Sequence, residues 1–138
     1  MDQHPAPTAA ARIPSPLHFI DNHQVAPAGG QTIPVVDPSD GRVFAQIARG
    51  NAEDIDRAVK AAEGARDGAW GRMAPAEKGR LLMRLSQQIL DHHEELAQLE
   101  SRDCGKPLKQ ARADVTACAR YFEFYAGAPY KLHDDTIP

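Results

Sequence analysis

The chain has 138 residues, of which 42% are hydrophobic, 25% charged and 6% aromatic, a composition typical of one modest globular domain. Its formal net charge of −3, from 16 basic and 19 acidic residues, argues against a protein that binds nucleic acid through clustered cations. No apolar run approaches the roughly 20 residues that a membrane-spanning helix needs, and the first residues lack the features of a secretory signal. The composition predicts a cytoplasmic protein that contacts neither nucleic acid nor a membrane.

The first third of the chain is rich in residues that favour turns. Four of the 11 prolines lie within the first 16 residues, and proline restricts its own backbone and that of its predecessor. Residues 1–16 are therefore predicted to be a disordered Pro/Ala-rich arm. From residue 17 to residue 47, short apolar pieces alternate with turn residues such as Asp21-Asn22 and Gly29-Gly30. This alternation predicts three or four short strands.

After Gly50 the apolar period changes to about 3.6 residues, which is typical of amphipathic helices. Asn51 is a good N-cap for the first helix, Pro75 suits the first turn of the second, and Gly105 suits the end of that helix. The predicted helices span about residues 51–67, 75–103 and 107–127. The predicted fold class is mainly α with short N-terminal β-strands arranged as hairpins.

Asp103 stands at an unusual place for a carboxylate. It continues the apolar stripe four residues after Leu99, in the last turn of a helix, where unpaired carbonyls carry partial negative charge. A buried carboxylate there would need a cation, and a hard ion held by Asp103 and backbone carbonyls would provide one. The pattern alone favours the alternative, in which Asp103 is exposed or pairs with Arg102 or Lys106.

The cysteines and glycines form no recognisable catalytic or cofactor motif. Cys104 and Cys118 are too few for a four-thiolate zinc site, and neither lies at a predicted helix N-terminus, where a thiolate would be activated. No G-x-G-x-x-G or P-loop pattern is present. The sequence therefore predicts no catalytic and no cofactor-binding side chain in this chain.

Seven short blocks carry a further signal when they are taken together. They are residues 19–22 (FIDN), 33–41 (IPVVDPSDG), 56–62 (DRAVKAA), Trp70, 79–82 (GRLL), 99–107 (LESRDCGKP) and 121–127 (YFEFYAG). Their order and spacing resemble the N-terminal region of NAD(P)-dependent aldehyde dehydrogenases. The resemblance implies that residues 17–138 are the N-terminal segment of the cofactor domain of that α/β fold, without its Rossmann core.

The resemblance also implies a function for the whole enzyme. The family oxidises an aldehyde to a carboxylic acid with NAD or NADP, through a thiohemiacetal on a cysteine. That cysteine, the general-base glutamate and the cofactor loops belong to later segments of the family. We therefore expect a truncated aldehyde dehydrogenase that is inactive alone and does not by itself bind NAD or NADP. The alternative is a stand-alone helical protein-interaction module derived from the family.

Two sets of site residues follow from the resemblance alone. The family implies a Na⁺ or K⁺ ion held between the loop at Val35-Val36 and the acid at Asp103, a partial site here because a further ligand comes from later segments. It also implies that Asp114 and Ala117 line a substrate tunnel. The rest of the fold, or a partner, is expected to cover the apolar helix faces, and the family implies a homo-oligomer.

Overall fold

The structure is a computed structural model that describes residues 16–131, so the predicted arm lies outside the described residues except for Pro16. Four strands come first: β1 (His18–Ile20), β2 (His23–Val25), β3 (Thr32–Val36) and β4 (Val43–Ala48). Five helices follow: α1 (Ala52–Asp67), α2 (Ala69–Arg72), α3 (Pro75–Asp91), α4 (His93–Cys104) and α5 (Leu108–Ala126). A 3₁₀ turn, Ala128–Tyr130, ends the described part.

The strands form two separate antiparallel hairpins, as the turn-rich sequence predicts. Asp21 and Asn22 both adopt positive φ, 51° and 61°, in the two-residue turn between β1 and β2. Such turns match the natural twist of paired strands, and Asp and Asn tolerate the left-handed conformation. The β3–β4 pairing is irregular between Val35 and Val36, where a bulge shifts the register.

Helix α1 begins at the predicted N-cap. The side chain of Asn51 accepts a hydrogen bond from the amide of Asp54, and the carboxylate of Asp54 accepts one from the amide of Asn51. This reciprocal capping box satisfies two amides that the first helical turn leaves without partners. The predicted start and end of this helix, residues 51 and 67, agree with the structure within one residue.

The predicted single helix over residues 75–103 is wrong, because the chain breaks at His92 into α3 and α4. His92 has φ −102° and ψ 18°, outside the helical region. The break redirects the chain so that His93 Nε2 lies 2.9 Å from the carbonyl oxygen of Arg112 on α5. Both α3 and α4 pack on α5, so the apolar stripe continues across the break and its period does not reveal it.

The core is thin and centres on α5. Ala97 and Ala111 are fully buried with Val115 beside them, and Ile89 and Leu108 pack against this cluster. None of the larger side chains among residues 16–131 is fully buried. Within the same range, no helix is long and apolar enough to cross a membrane. The observed class is the predicted one, mainly α with two small hairpins.

Candidate functional site

An open groove of about 980 Å³ lies between the β3–β4 hairpin and helices α4 and α5. Its walls are apolar side chains from both sides, and three carboxylates reach it. The lining residues are Pro34, Val35, Val36, Phe44, Ala45, Ile47, Ile89, Leu96, Leu99, Glu100, Asp103, Asp114, Val115 and Cys118. Its volume is at the upper end of the roughly 300–1,000 Å³ typical of ligand pockets, and concave apolar surfaces of this size are where proteins bind other molecules or further chain.

The hairpin is held over α4 by contacts at the helix end. Gly105 caps α4 with φ 69°, and a Cβ at this position would lie 2.7 Å from Pro38 Cγ. Nε of Arg102 donates to Asp37 Oδ2 at 3.2 Å, and the guanidinium carbon of Arg102 lies 4.3 Å from the centroid of the Phe44 ring. The pKa of Asp37 is lowered, first by a hydrogen bond from the hydroxyl of Ser39. These contacts join the end of β3 and the turn after it to the end of α4.

Lys106 neutralises two of the three carboxylates. Its ammonium donates to Glu100 Oε1 at 2.5 Å and to Asp114 Oδ2 at 3.0 Å. The pKa of Lys106 is raised, first by the bond to Glu100, and the pKa of Asp114 is lowered, first by the bond from Lys106. The side-chain amide of Gln110 donates to the other oxygen of Asp114 at 2.9 Å.

Asp103 is exposed at the groove, in agreement with the alternative that the pattern alone favours. Neither cation proposed as its partner is directed at it, because Arg102 pairs with Asp37 and Lys106 pairs with Glu100 and Asp114. Asp103 therefore differs from Glu100 and Asp114, the other two groove carboxylates, which both pair with Lys106.

The structure brings four of the five predicted site residues to one groove. Val35, Val36, Asp103 and Asp114 all line it, whereas Ala117 lies exposed on α5 outside the lining. Of the cysteines, Cys118 lines the groove and Cys104 lies exposed at the end of α4. Sequence reasoning did not identify Lys106 and Glu100 as partners. The six-residue spacing between them crosses the end of α4 and follows no helical or strand period.

The donors at the groove fit the implied cation in part. The bulge at Val35-Val36 takes backbone groups out of the regular ladder, and the Asp103 carboxylate adds hard oxygen atoms. A cluster of three acidic, histidine or cysteine side chains able to hold a metal is absent from residues 16–131.

The described residues do not fit NAD or NADP. Dinucleotides bind at the carboxyl ends of parallel strands, where a glycine-rich turn leads into a helix. Both described sheets are antiparallel pairs of strands.

A second cluster lies at the N-terminus of α1, around the buried carboxylate of Asp54, which is 2% exposed. It accepts hydrogen bonds from the amide of Asn51 at 3.0 Å, from the amide of Ala28 at 3.1 and 3.2 Å, and from the guanidinium of Arg57. The pKa of Asp54 is lowered to about 2, chiefly by the bond from the Asn51 amide. His18 Nε2 lies 3.6 Å from the same carboxylate.

Comparison with known proteins gives one consistent family. The aldehyde dehydrogenase family model matches residues 25–138. The mitochondrial aldehyde dehydrogenase family 2 member B4 of Arabidopsis thaliana is 46% identical over 122 residues, which is 87% of this chain and 23% of that protein.

Solved structures agree with the family match. A Burkholderia cenocepacia protein, solved as a candidate aldehyde dehydrogenase, is 62% identical with a TM-score of 0.86 and covers 88% of this chain and 26% of its own. PnpE in complex with nicotinamide adenine dinucleotide is 41% identical with a TM-score of 0.82, covering 87% of this chain and 25% of its own. The chain spans about a quarter of the length of the relatives it matches.

Proposed function

Because the chain belongs to the aldehyde dehydrogenase family, we propose that it forms the N-terminal portion of an enzyme that oxidises an aldehyde to a carboxylic acid with NAD or NADP. In that reaction a cysteine thiolate adds to the aldehyde carbonyl, and a base-activated water later releases the acid. The nicotinamide, when bound, accepts the hydride. We assign neither Cys104 nor Cys118 to the nucleophile. Cys104 ends α4 and Cys118 lies within α5, so neither is at a helix N-terminus that would activate a thiolate.

The observation that carries this proposal is the open groove. Its walls are large apolar side chains, and residues such as Leu96, Val36 and Ile47 remain 37%, 45% and 43% exposed. Apolar surface of this extent is stabilised when another part of the protein covers it. We propose that the rest of the aldehyde dehydrogenase fold covers the groove, and that the complete enzyme is a homo-oligomer located in the cytoplasm.

Two finer assignments belong to the same proposal. The carbonyls of Val35 and Val36 and the carboxylate of Asp103 would hold Na⁺ or K⁺, together with a ligand from the covering part. Asp114 and Ala117 would face the substrate tunnel of the complete enzyme. The position of Asp114 on the groove supports its assignment.

The proposal is tested by complementation. The 138-residue chain is assayed with NAD, NADP and a panel of aldehydes, alone and after mixing with a polypeptide of the Burkholderia cenocepacia relative that lacks the matched N-terminal quarter. We expect no NADH or NADPH formation from the chain alone, and formation in the mixture at a rate that saturates with the chain.

Two outcomes would contradict the proposal. The first is turnover by the chain alone that Cys104→Ala or Cys118→Ala abolishes, which would place the nucleophile in this chain. The second is a lack of binding between the two polypeptides together with a cooperative, monomeric chain, which would favour the stand-alone interaction module. Replacing K⁺ and Na⁺ by choline, in wild type and in Asp103→Asn, tests the cation assignment separately, since only the wild type should lose stability.

A further inference from the structure

Every charged side chain that lines the groove is a carboxylate. Glu100 and Asp103 lie near the end of α4 and Asp114 lies on α5, whereas the lining side chains of β3, β4 and α3 are uncharged. The side chains of Glu100 and Asp114 are 32% and 37% exposed, so water screens their charges only in part. The groove therefore combines an apolar surface with negative charge.

Lys106 compensates this charge only in part. Its one ammonium donates to both Glu100 and Asp114, so these three side chains together keep a formal charge of −1. Gln110 donates to the remaining oxygen of Asp114. The second oxygen of Glu100 has no hydrogen-bond donor among residues 16–131. Glu100 is thus the member of this cluster whose carboxylate can accept from a further cation.

Helix α4 places the apolar and charged groups of the groove in a fixed order. Leu96 and Glu100 are four residues apart, and Glu100 and Asp103 are three apart, so they share one face of the helix. The carbonyl groups at the end of α4 add partial negative charge at the same end as the two acids. A ligand with an apolar body beside Leu96 and a cation beside Glu100 matches this order.

We propose that the groove takes an apolar group that ends in an ammonium or guanidinium, with the cation paired to the second oxygen of Glu100. The inference rests on the proposed function, under which later chain covers the groove. The occupant in the complete enzyme is then a segment of that later chain, with apolar side chains and one lysine or arginine. Covering the groove without such a cation would bury the remaining charge of the cluster unpaired, which is strongly disfavoured. The pairing is separate from the Na⁺ or K⁺ assignment, which uses Asp103.

Two small probes with the same apolar body test the charge preference in the 138-residue chain. Binding of phenylbutylammonium and of phenylbutyrate is followed by NMR shifts of the α4 and α5 amides. We expect the ammonium to bind at least about threefold more tightly at low salt, because a partly exposed carboxylate attracts one probe and repels the other. The preference should shrink at high salt, since screening weakens both effects.

Glu100→Gln keeps the size of the side chain and an oxygen that accepts hydrogen bonds, but it removes the charge. It should reduce the preference for the ammonium by about half or more. Glu95→Gln is the matched control, because Glu95 is an exposed acid of the same helix that contacts His92 and does not line the groove. Should Glu100→Gln fail to fold, the proposal requires nuclear Overhauser contacts between the ammonium-bearing methylene of the probe and the Glu100 side chain in the wild type.

Equal binding of the two probes, tighter binding of phenylbutyrate or no binding of either would overturn the proposal. A preference that Glu100→Gln leaves unchanged, or the absence of the required contacts to Glu100, would overturn it as well. The probes need only the chain alone, whereas the proposed function is tested by mixing it with a complementary polypeptide. Failure of one proposal is therefore distinguishable from failure of the other.

Discussion

The cluster around Asp54 and the groove beside α4 and α5 differ in whether their side chains are covered by other described residues. At Asp54, a buried carboxylate receives hydrogen bonds from two backbone amides and a guanidinium, all within the described residues. At the groove, apolar side chains of β3, β4, α4 and α5 face open space. In the first region the buried carboxylate has its hydrogen bonds, whereas in the second large apolar side chains remain uncovered.

This difference shows how a segment of a larger fold divides its interactions. The Asp54 carboxylate near the N-terminus of α1 finds its hydrogen-bond partners over short and medium chain distances. Beside it, Nε2 of His18 and Nε of Arg57 are buried without a hydrogen-bond partner among the described residues. The α3–α5 bundle instead buries mainly small residues such as Ala97, Ala111 and Ala119, and presents its larger apolar side chains outward. The experiments below either break one of the two regions or sharpen the contrast between them.

Asp54→Asn should have the largest effect, because it disturbs the hydrogen bonds of the buried carboxylate. The oxygen of the new side-chain amide can still accept a hydrogen bond from the Asn51 amide. Its NH₂ group would then face the Arg57 guanidinium, which loses the negative charge it pairs with. We expect the protection of the β1–β2 and early α1 amides to fall by at least about tenfold in hydrogen exchange. Asp56→Asn is the matched control, because Asp56 is an exposed neighbour that pairs with Lys60. An equal loss in both variants would show that the burial of Asp54 is not what matters.

Cysteine labelling should sharpen the contrast from the other side. Cys118 lines the groove and Cys104 lies outside it, and both are exposed in the chain. We expect N-ethylmaleimide to modify both thiols in the chain alone. The complementary polypeptide should slow the labelling of Cys118 by about tenfold or more. A tenfold slowing is expected when uncovering the thiol costs a free energy of only about 1.4 kcal/mol. Equal labelling of Cys118 with and without the polypeptide would show that the groove is not the covered surface.

Gly105→Ala should loosen one wall of the groove. Its positive φ disfavours a side chain, and the added Cβ would clash with Pro38 of the hairpin. We expect a loss of about 1 kcal/mol or more in the free energy of unfolding, together with faster exchange of the β3–β4 amides. Gly64→Ala is the control, because Gly64 lies in the interior of α1 with open space around its Cβ. That variant should be more stable by roughly 0.5–1 kcal/mol.

Glu94→Gln should have the smallest effect. Glu94 accepts two hydrogen bonds from Arg112 at 2.8 Å, which joins α4 to α5, and this pair lowers the pKa of Glu94 to about 2. A carboxylate with a depressed pKa stabilises the fold above its ordinary pKa, and this stability is lost as the pH falls through the depressed value. The variant should therefore lower the protection of α4 about twofold at pH 7. The difference should disappear between about pH 4.5 and pH 2.

Glu95→Gln provides the comparison for that experiment, because Glu95 lies next in the chain and contacts His92 within the same turn of chain. It should leave the α4–α5 contact unchanged. A pH-independent difference between Glu94→Gln and wild type would show that the charge of Glu94 is not involved.

Local signals predicted much of this fold. Asn51 caps α1, and Gly105 ends the helix before Pro107, because each residue type has a specific backbone preference that acts within a few residues. The resemblance to a known family placed Val35, Val36 and Asp103 at one site, and the structure brings them to one groove. The apolar periodicity alone would not have predicted that Val35 and Val36 in β3 lie near Asp103 at the end of α4.

The remaining features depend on contacts between distant residues. The sequence places Asp54 in the first turn of a helix, where an acidic residue is common and usually exposed. Its burial depends on the segment around Ala28, 26 residues earlier, whose amide donates a hydrogen bond to it. The break at His92 is accompanied by contacts of His93 with Arg112 and Thr116 on another helix. Neither contact leaves a periodic trace, so a pattern of apolar residues could not indicate it.

Hydrogen exchange of the two regions, with and without the complementary polypeptide of the Burkholderia cenocepacia relative, tests the central claim most directly. The account predicts that α4 and α5 gain protection of about tenfold or more on mixing. Residues 18–28 and 51–57, which lie around the hydrogen-bonded Asp54 carboxylate, should keep the protection they have in the chain alone. Full protection of α4 and α5 in the chain alone, with no change on mixing, would contradict the claim that the groove is a surface made to be covered.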